Sequence, residues 1–581
     1  MSAEEYEYIV VGSGAGGGPL AANLAKSGAQ VLLIEAGSDQ ETSRYQVPCF
    51  HAFASEERGM SWDYFVHHYS KAEDRDWKYR PKEGGVFYPR AGTLGGCTAH
   101  NAMITIVPHD SDWDRIARMT GDRSWQAARM RPYFDKVRQW LEVNTVDLRI
   151  GLEDQQIVQT MIDAALRGGC MGILDRLFSG RKVEFDPNEP ANIGAEGLTS
   201  RIPLATTIMG RRNGTREYIK RVHEKHRDNF TVQTNTLVTR VLFDNANRAV
   251  GVECLAGQHL YGADPESETA HARVPREYRC TREVILAGGA FNTPQLLMLS
   301  GIGPKAHLEA MKIPCRLDRQ GVGANLQDRY EVSVVSEMKK DFSALTGATF
   351  KPPNEGEAGD PCYQQWKLEG KGMYTSNGSV AAVISKSAKA HKRAPDLFIF
   401  GLPGKFQGYY PGYSEQIERT HKSFTWAILK AHTNNTNGTV QLRSNDPLQT
   451  PDINFHYFDE SNDPNHEDLD SVVAAVEIAR QMNARNRDIV EEIDPGPGVK
   501  GHEKIADWVQ KNAWGHHASC SCRLGHKDDP LAVVDSHFRV IGTSGLRIVD
   551  ASVFPRIPGF FIVAPIYMIS EKASDVITQG G

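Results

Sequence analysis

The chain has 581 residues and a formal net charge of −6, with a pI near 6.4; that balance excludes a general nucleic-acid role, which needs a basic face. Its hydrophobic content of 40% and charged content of 24% are those of a globular chain with large cores and more than one domain. No run reaches the ~18 apolar residues of a membrane span, and the nine scattered cysteines, without paired metal spacing, predict a reduced cytoplasmic protein with no metal ligands.

The opening MSAEEYEY is acidic and reads directly into the first strand, so no secretory leader is expected there. Tyr8-Ile9-Val10-Val11 predicts that strand, Gly12-Ser13-Gly14-Ala15-Gly16-Gly17 a turn opening a helix, and the apolar run ending at Glu35 the next strand. Gly12 permits the tight turn, Gly14 lets the backbone approach a pyrophosphate, and Gly17 allows close helix–strand contact, while the helix N-terminus offers free N–H groups. Glu35 stands where a carboxylate accepts hydrogen bonds from a ribose diol. A bound dinucleotide is therefore expected, with Ala15 and Ala36 beside these residues.

Residues 40–88 read as an irregular surface excursion, and the basic cluster Gly210-Arg211-Arg212 as solvated surface. A helix is predicted over 217–227. Strands are predicted at 231–234 and 238–252, the second folding back at Asp244-Asn245-Ala246-Asn247. Residues 283–289 give a strand ending in glycines, followed by a helix from Thr293. Residues 331–500 change texture: polar loops, Gly/Pro clusters, strand-like pieces at 396–400 and 424–429, and a helix over 468–483. A strand at 546–550 and a helix from Pro565 close the chain. The organisation predicted is α/β: a Rossmann-like domain assembled from discontinuous segments, with 1–330 its major part and 501–581 the return. Substrate-side insertions lie at 143–210, and an α+β substrate domain with an antiparallel sheet spans 331–500.

Four blocks in order carry a family resemblance. The glycine turn extends to Glu35-Ala36-Gly37. The second block is Arg90-Ala91-Gly92-Thr93-Leu94-Gly95-Gly96-Cys97-Thr98-Ala99-His100-Asn101. The third runs from Gly289-Ala290-Phe291-Asn292-Thr293-Pro294-Gln295 to Ser300-Gly301-Ile302-Gly303, with Gly321-Val322-Gly323-Ala324-Asn325-Leu326-Gln327-Asp328 after it. The fourth is Val549-Asp550-Ala551-Ser552-Val553-Phe554-Pro555, with Pro565 and Glu571-Lys572-Ala573 downstream. Over nearly its whole length the chain thus resembles the glucose–methanol–choline (GMC) oxidoreductases. The resemblance implies bound FAD, held by Gly95, Gly96, Asn101, Ala102, Val238, Gly288, Asp550 and Ala551 besides the first turn. The Gly-Gly-Cys-x-x-His-Asn loop is choline-oxidase-like, which leaves two readings of His100: bonded to the flavin, or hydrogen-bonding beside it.

The segment Trp514-Gly515-His516-His517-Ala518-Ser519-Cys520-Ser521-Cys522-Arg523 resembles the family's catalytic-histidine block, and the count from Cys522 implies His517 as the base, with His516 beside it. A histidine titrates in the range needed to accept a hydroxyl proton while hydride leaves the carbon. The family's second member, His or Asn, falls by count on Phe561, which cannot hydrogen-bond an oxygen. Phe560-Phe561-Ile562-Val563 predicts an apolar wall. Cys520-Ser521-Cys522, where relatives often carry Gly-Thr-Cys, is a second departure. The function implied is oxidation of an alcohol with an apolar or aromatic body, with oxygen or a quinone as electron acceptor. The alternative is a same-fold lyase or light-driven fatty acid decarboxylase, which Arg556-Ile557-Pro558-Gly559 favours. Choline is disfavoured, because its ammonium wants a carboxylate that the sequence does not identify.

Overall fold

The computed structural model describes residues 5–71, 75–145, 154–167, 185–199, 202–269, 273–354, 356–390 and 394–580; parts of the predicted 143–210 insertion fall outside them. Two sheets dominate. In the first, the apolar strand Glu5–Val11 lies between Val31–Ile34 and Val274–Leu286, parallel to both. Phe230–Gln233 continues the parallel order on one side and Leu546–Ile548 pairs with Val274–Leu286 on the other. The hairpin Thr236–Phe243 and Ala249–Ala256 attaches antiparallel beyond, folding back where the Asp-Asn-Ala-Asn turn predicts. Strands from the start, middle and end of the chain thus share one sheet.

The second sheet has six strands, in the order Ile489–Asp494, Tyr330–Met338, Ser423–Lys430, Leu397–Pro403, Ala381–Ser385 and Gly197–Thr199. Its described pairings are all antiparallel. Every residue of Ser423–Lys430 is buried, and the helix Glu467–Asn483 packs against it and against Tyr330–Met338. One hydrophobic cluster spans the first sheet and takes in Ala382, Ile384, Phe398 and Leu429 from one face of the second, and a separate cluster holds Val383, Ile399 and Ile428 from the other face.

Helix starts differ from the sequence reading by one to four residues, at Thr215 and Glu467 as well as at Gly289 and Val563. The helix expected from Thr293 begins at Gly289, because the Asp550 carboxylate accepts from the Gly289 N–H at 2.9 Å and from Thr293 Oγ1 at 2.6 Å. Pro294 inside it cannot bond the Ala290 carbonyl, which instead accepts from Ser521 Oγ at 2.6 Å. The last helix begins at Val563 rather than Pro565, since proline is tolerated in a first turn. The 40–88 excursion holds a sheet of its own, with Ser61–Val66 paired to Gly85–Ala91.

One long-range tie fixes the segment that carries Phe561. Asp112, in the first turn of the helix Asp110–Thr120, accepts from the Gly559 N–H at 2.9 Å and meets His432 Nε2 at 2.9 Å. Burial opposes its charge, but His432, His109 and the Gly559 N–H outweigh it and hold the carboxyl at about 2. A carboxyl held below its ordinary 3.8 stabilises the fold above that pH and ceases to as pH falls through about 2. We expect Asp112→Asn to lower Tm at pH 7 by about 2–4 °C, with the deficit against wild type shrinking only below pH 3.8; thermal melts across pH check this.

Candidate active site

The carboxyl ends of the parallel strands open on one cavity, the position where open α/β sheets bind ligands. About 380 Å³ of space runs from the Gly12–Gly16 turn, past Glu35, Ala36, Val238, Gly288, Asp550 and Ala551, to His516, His517 and Phe561. The glycines divide by role. A Cβ on Gly12 would stand 2.4 Å from the Ala287 carbonyl oxygen, and one on Gly16 would stand 2.0 Å from that of Val549. Gly14 faces open space, with only the Gly96 Cα at 4.0 Å. Gly17 and Gly95, expected among the cofactor contacts, do not line the cavity. Gly17 packs against the Gly12 carbonyl, and the Gly95 N–H donates to Ser13 Oγ at 2.9 Å.

Glu35 Oε2 accepts from the Ser13 N–H (3.0 Å) and Ser13 Oγ (2.5 Å), and Oε1 from the Gly37 N–H (3.1 Å). Burial raises its carboxyl pKa against these bonds. The helix Gly17–Lys26 starts without a side-chain cap or an acidic first-turn residue, leaving its N-terminal field for an anion. Open space at Gly14, this uncapped end and a carboxylate one strand away fit a dinucleotide.

The Gly95–Asn101 loop closes over that cradle, with Gly95 at φ 98 and Gly96 at φ 54. Arg212, read from sequence as solvated surface, is in fact buried. Its guanidinium donates to the carbonyls of Tyr45, Thr98 and Asn101 and to Asn101 Oδ1, because the loop's carbonyls need donors inside the protein. Asn101 and Ala102 line the cavity beside His100. His100 Nε2 is buried with no hydrogen-bond partner, and burial, then Arg90 and Arg212, push its pKa well below the usual range.

The histidine loop follows the helix His502–Asn512 and runs against residues 327–331. Trp514 and Glu331 exchange backbone bonds at 2.9 Å, as do Ser519 and Gln327 at 3.0 Å. Asp328 Oδ1 accepts from the His517 N–H at 2.8 Å, and Oδ2 from the Tyr88 hydroxyl at 2.5 Å. That hydroxyl accepts in turn from the Ala518 N–H at 2.8 Å. Gly515 makes room, since a Cβ there would stand 2.4 Å from the Asp328 carboxylate. Arg90 donates to the His516 carbonyl and, at 3.6 Å, to Cys97 Sγ.

His516 and His517 lie ring against ring, centroids 4.0 Å apart. Phe561 stands edge-on to His517 at 5.9 Å and to Phe398 at 5.0 Å, so a hydrocarbon wall faces that histidine. Sequence reasoning missed Glu331, buried at the start of the strand Tyr330–Met338. Its Oε1 lies 3.2 Å from His516 Nδ1 and 3.6 Å from His517 Nδ1. These ligand atoms fall within 4.8 Å of one another, a cluster hidden by a separation of some 185 residues in a chain read as having no metal ligands. Burial, then the guanidiniums of Arg90 and Arg329, push His516 down to about 3. His517 is held well below its ordinary value by burial, His516 and the same two arginines.

Residues 6–331 match the N-terminal model and residues 434–570 the C-terminal model of the GMC oxidoreductases. Oxygen-dependent choline dehydrogenases of Burkholderia multivorans and Rhizobium etli are 32% and 30% identical to the chain. The alignments cover 99% and 98% of this chain and 94% and 95% of those proteins. Formate oxidase of Aspergillus oryzae superposes with a TM-score of 0.78 at 20% identity, covering 100% of this chain and 99% of its own. A fungal aryl-alcohol oxidase superposes at 0.69 and 19%, covering 99% of each chain.

The glycine geometry predicts contrasting variants. Gly16→Ala should fail to fold, whereas Gly14→Ala should keep its far-UV spectrum and weaken FAD at least ~10-fold, as read by cofactor retention on gel filtration.

Proposed function

The chain belongs to the GMC oxidoreductase family and binds FAD, and from that premise we propose that it oxidises an alcohol CH–OH group to a carbonyl with His517 as the base. When bound, FAD supplies the redox chemistry by taking hydride from the carbinol carbon. The protein supplies position and proton handling. The observation that carries the reading is His517 itself: a neutral imidazole on the cofactor cavity, its backbone pinned by Asp328. A neutral imidazole has the free lone pair a base requires. Phe561 packs edge-on against its ring, backed by Phe398, and Phe400 lines the same cavity, which favours an alcohol with an apolar or aromatic body. Oxygen is the acceptor we favour, in line with the oxygen-dependent relatives.

Glu331 supports a second reading of the substrate. It shares the cavity with Phe406, Tyr409 and Tyr413, and a carboxylate among aromatic rings suits an alcohol bearing a quaternary ammonium group. Glu331 is therefore the carboxylate that the sequence did not identify for an ammonium group. Anaerobic mixing with neutral aryl, aliphatic and cationic alcohols, followed by flavin bleaching in the dark, ranks the two. His517→Ala should slow bleaching by ~10²–10⁴; an unchanged rate overturns the base assignment. Bleaching by no alcohol shifts the reading to the lyase or decarboxylase alternative.

We further propose that the flavin is bonded to His100, a residue that lines the cavity and whose buried Nε2 has no hydrogen-bond partner. Acid precipitation should leave the yellow colour in the pellet, and His100→Ala should release it. Complete release from the wild type overturns the bond.

A further inference from the structure

A proton taken by His517 has no stable place on that ring. Burial, His516, Arg329 and Arg90 all oppose a positive charge there, and His516 sits under the same arginines. Two carboxylates stand near. Both oxygens of Asp328 are engaged, by the His517 and Arg329 N–H groups and by the Tyr88 hydroxyl. Glu331 Oε1 is not: it, His516 Nδ1 and His517 Nδ1 are all buried without a hydrogen-bond partner, and they face one another at 3.2 and 3.6 Å. Catalytic contacts of this length tighten when substrate binds.

We propose that Glu331 orients His517 and relieves it of its proton, so that the alcohol's hydroxyl proton is finally replaced by one on Glu331 Oε1. The proposal rests on the alcohol-oxidation reading. The alcohol O–H bond breaks and its proton bonds Nε2 of His517, while the Nδ1–H bond breaks and that proton bonds Oε1. The carbinol C–H leaves as hydride, carrying two electrons to the bound FAD, and the substrate becomes a carbonyl. His517 begins and ends neutral; Glu331 begins as carboxylate and ends as acid. Burial, then the charge of Asp328, raise the Glu331 carboxyl well above the ordinary range against the pull of Arg329, so that once ionised it binds a proton more firmly than an ordinary carboxylate. The other titratable and charged groups around the trio are Arg90, Tyr409 and His51. A divalent ion would also span these three atoms, but a field that opposes one positive charge opposes two more strongly.

The test begins without turnover. In the FAD-loaded protein, ¹⁵N NMR of labelled histidine should place the His517 proton on Nδ1, and Glu331→Gln should move it to Nε2, since an amide N–H can donate to Nδ1. Flavin reduction by a neutral alcohol should then slow at least ~10²-fold in Glu331→Gln, with KM little changed, and recover in part in Glu331→Asp. Should Glu331→Gln not fold, as judged by cofactor content and Tm, Glu331→Asp carries both readouts, with a smaller rate loss. An unchanged His517 tautomer overturns the proposal. So does a loss confined to cationic alcohols, which would make Glu331 an ammonium anchor, or one divalent metal per chain in the purified enzyme. A wild type that no alcohol reduces defeats the functional reading instead, and leaves the tautomer result to stand by itself.

Discussion

The active site hangs on one buried carboxylate, Asp328. An ionised group out of water is tolerated only when its lone pairs are filled. Here the donors that fill them belong to the histidine loop and its support: the His517 N–H, the Tyr88 hydroxyl and the next residue's own N–H. Tyr88 extends the hold to Ala518. The loop therefore cannot shift its histidines without leaving buried donors unpaired, which costs roughly 1–3 kcal/mol each. The next residue, Arg329, reaches the other wall by donating to the carbonyls of Ala431 and Pro558. One dipeptide thereby sets the distance between the histidine side of the pocket and the phenylalanine side.

What was legible in the sequence was local. The glycine turn, the hairpin and the return of the last strand follow from patterns in which neighbours in sequence are neighbours in space. His517 is implied by the resemblance of a single block to the family's histidine segment. Glu331, Tyr88 and Arg212 were not, because each acts on residues far away in sequence. Glu331 meets its histidines only after the second sheet has formed and the loop has laid itself along residues 327–331. Arg212 is more instructive: an Arg-Arg pair normally means surface, yet this one is buried beneath a loop whose tight turns leave carbonyls without backbone partners. Sequence could have flagged it only by asking which donor serves the Gly95–Asn101 carbonyls.

The two departures from the family pattern have different physical weights. Cys520 adopts φ 74, a region in which a side chain costs about 1–2 kcal/mol relative to glycine. Its burial and the backbone ties of residues 519–522 hold it there, so this change is absorbed locally. Phe561 is not absorbed. By the count the resemblance implies, it stands where the family carries His or Asn, and it puts the edge of a ring against His517. The polar side chains that line the cavity beyond that ring include His516, Glu331 and Tyr409.

The charges around the pocket then work in one direction. Buried Arg329 and half-buried Arg90 stand close to both histidines and lower the affinity of each for a proton. The same field favours negative charge developing on a substrate oxygen as its proton leaves, and in a desolvated cavity such a term is worth far more than in water. An imidazole that binds protons weakly is a poor base by itself, but beside an oxyanion-favouring field and a carboxyl of raised pKa it need carry the proton only in passing. Weak basicity at His517 follows from desolvation and the flanking cations, whereas high proton affinity at Glu331 follows from desolvation and the charge of Asp328, which outweigh the pull of Arg329.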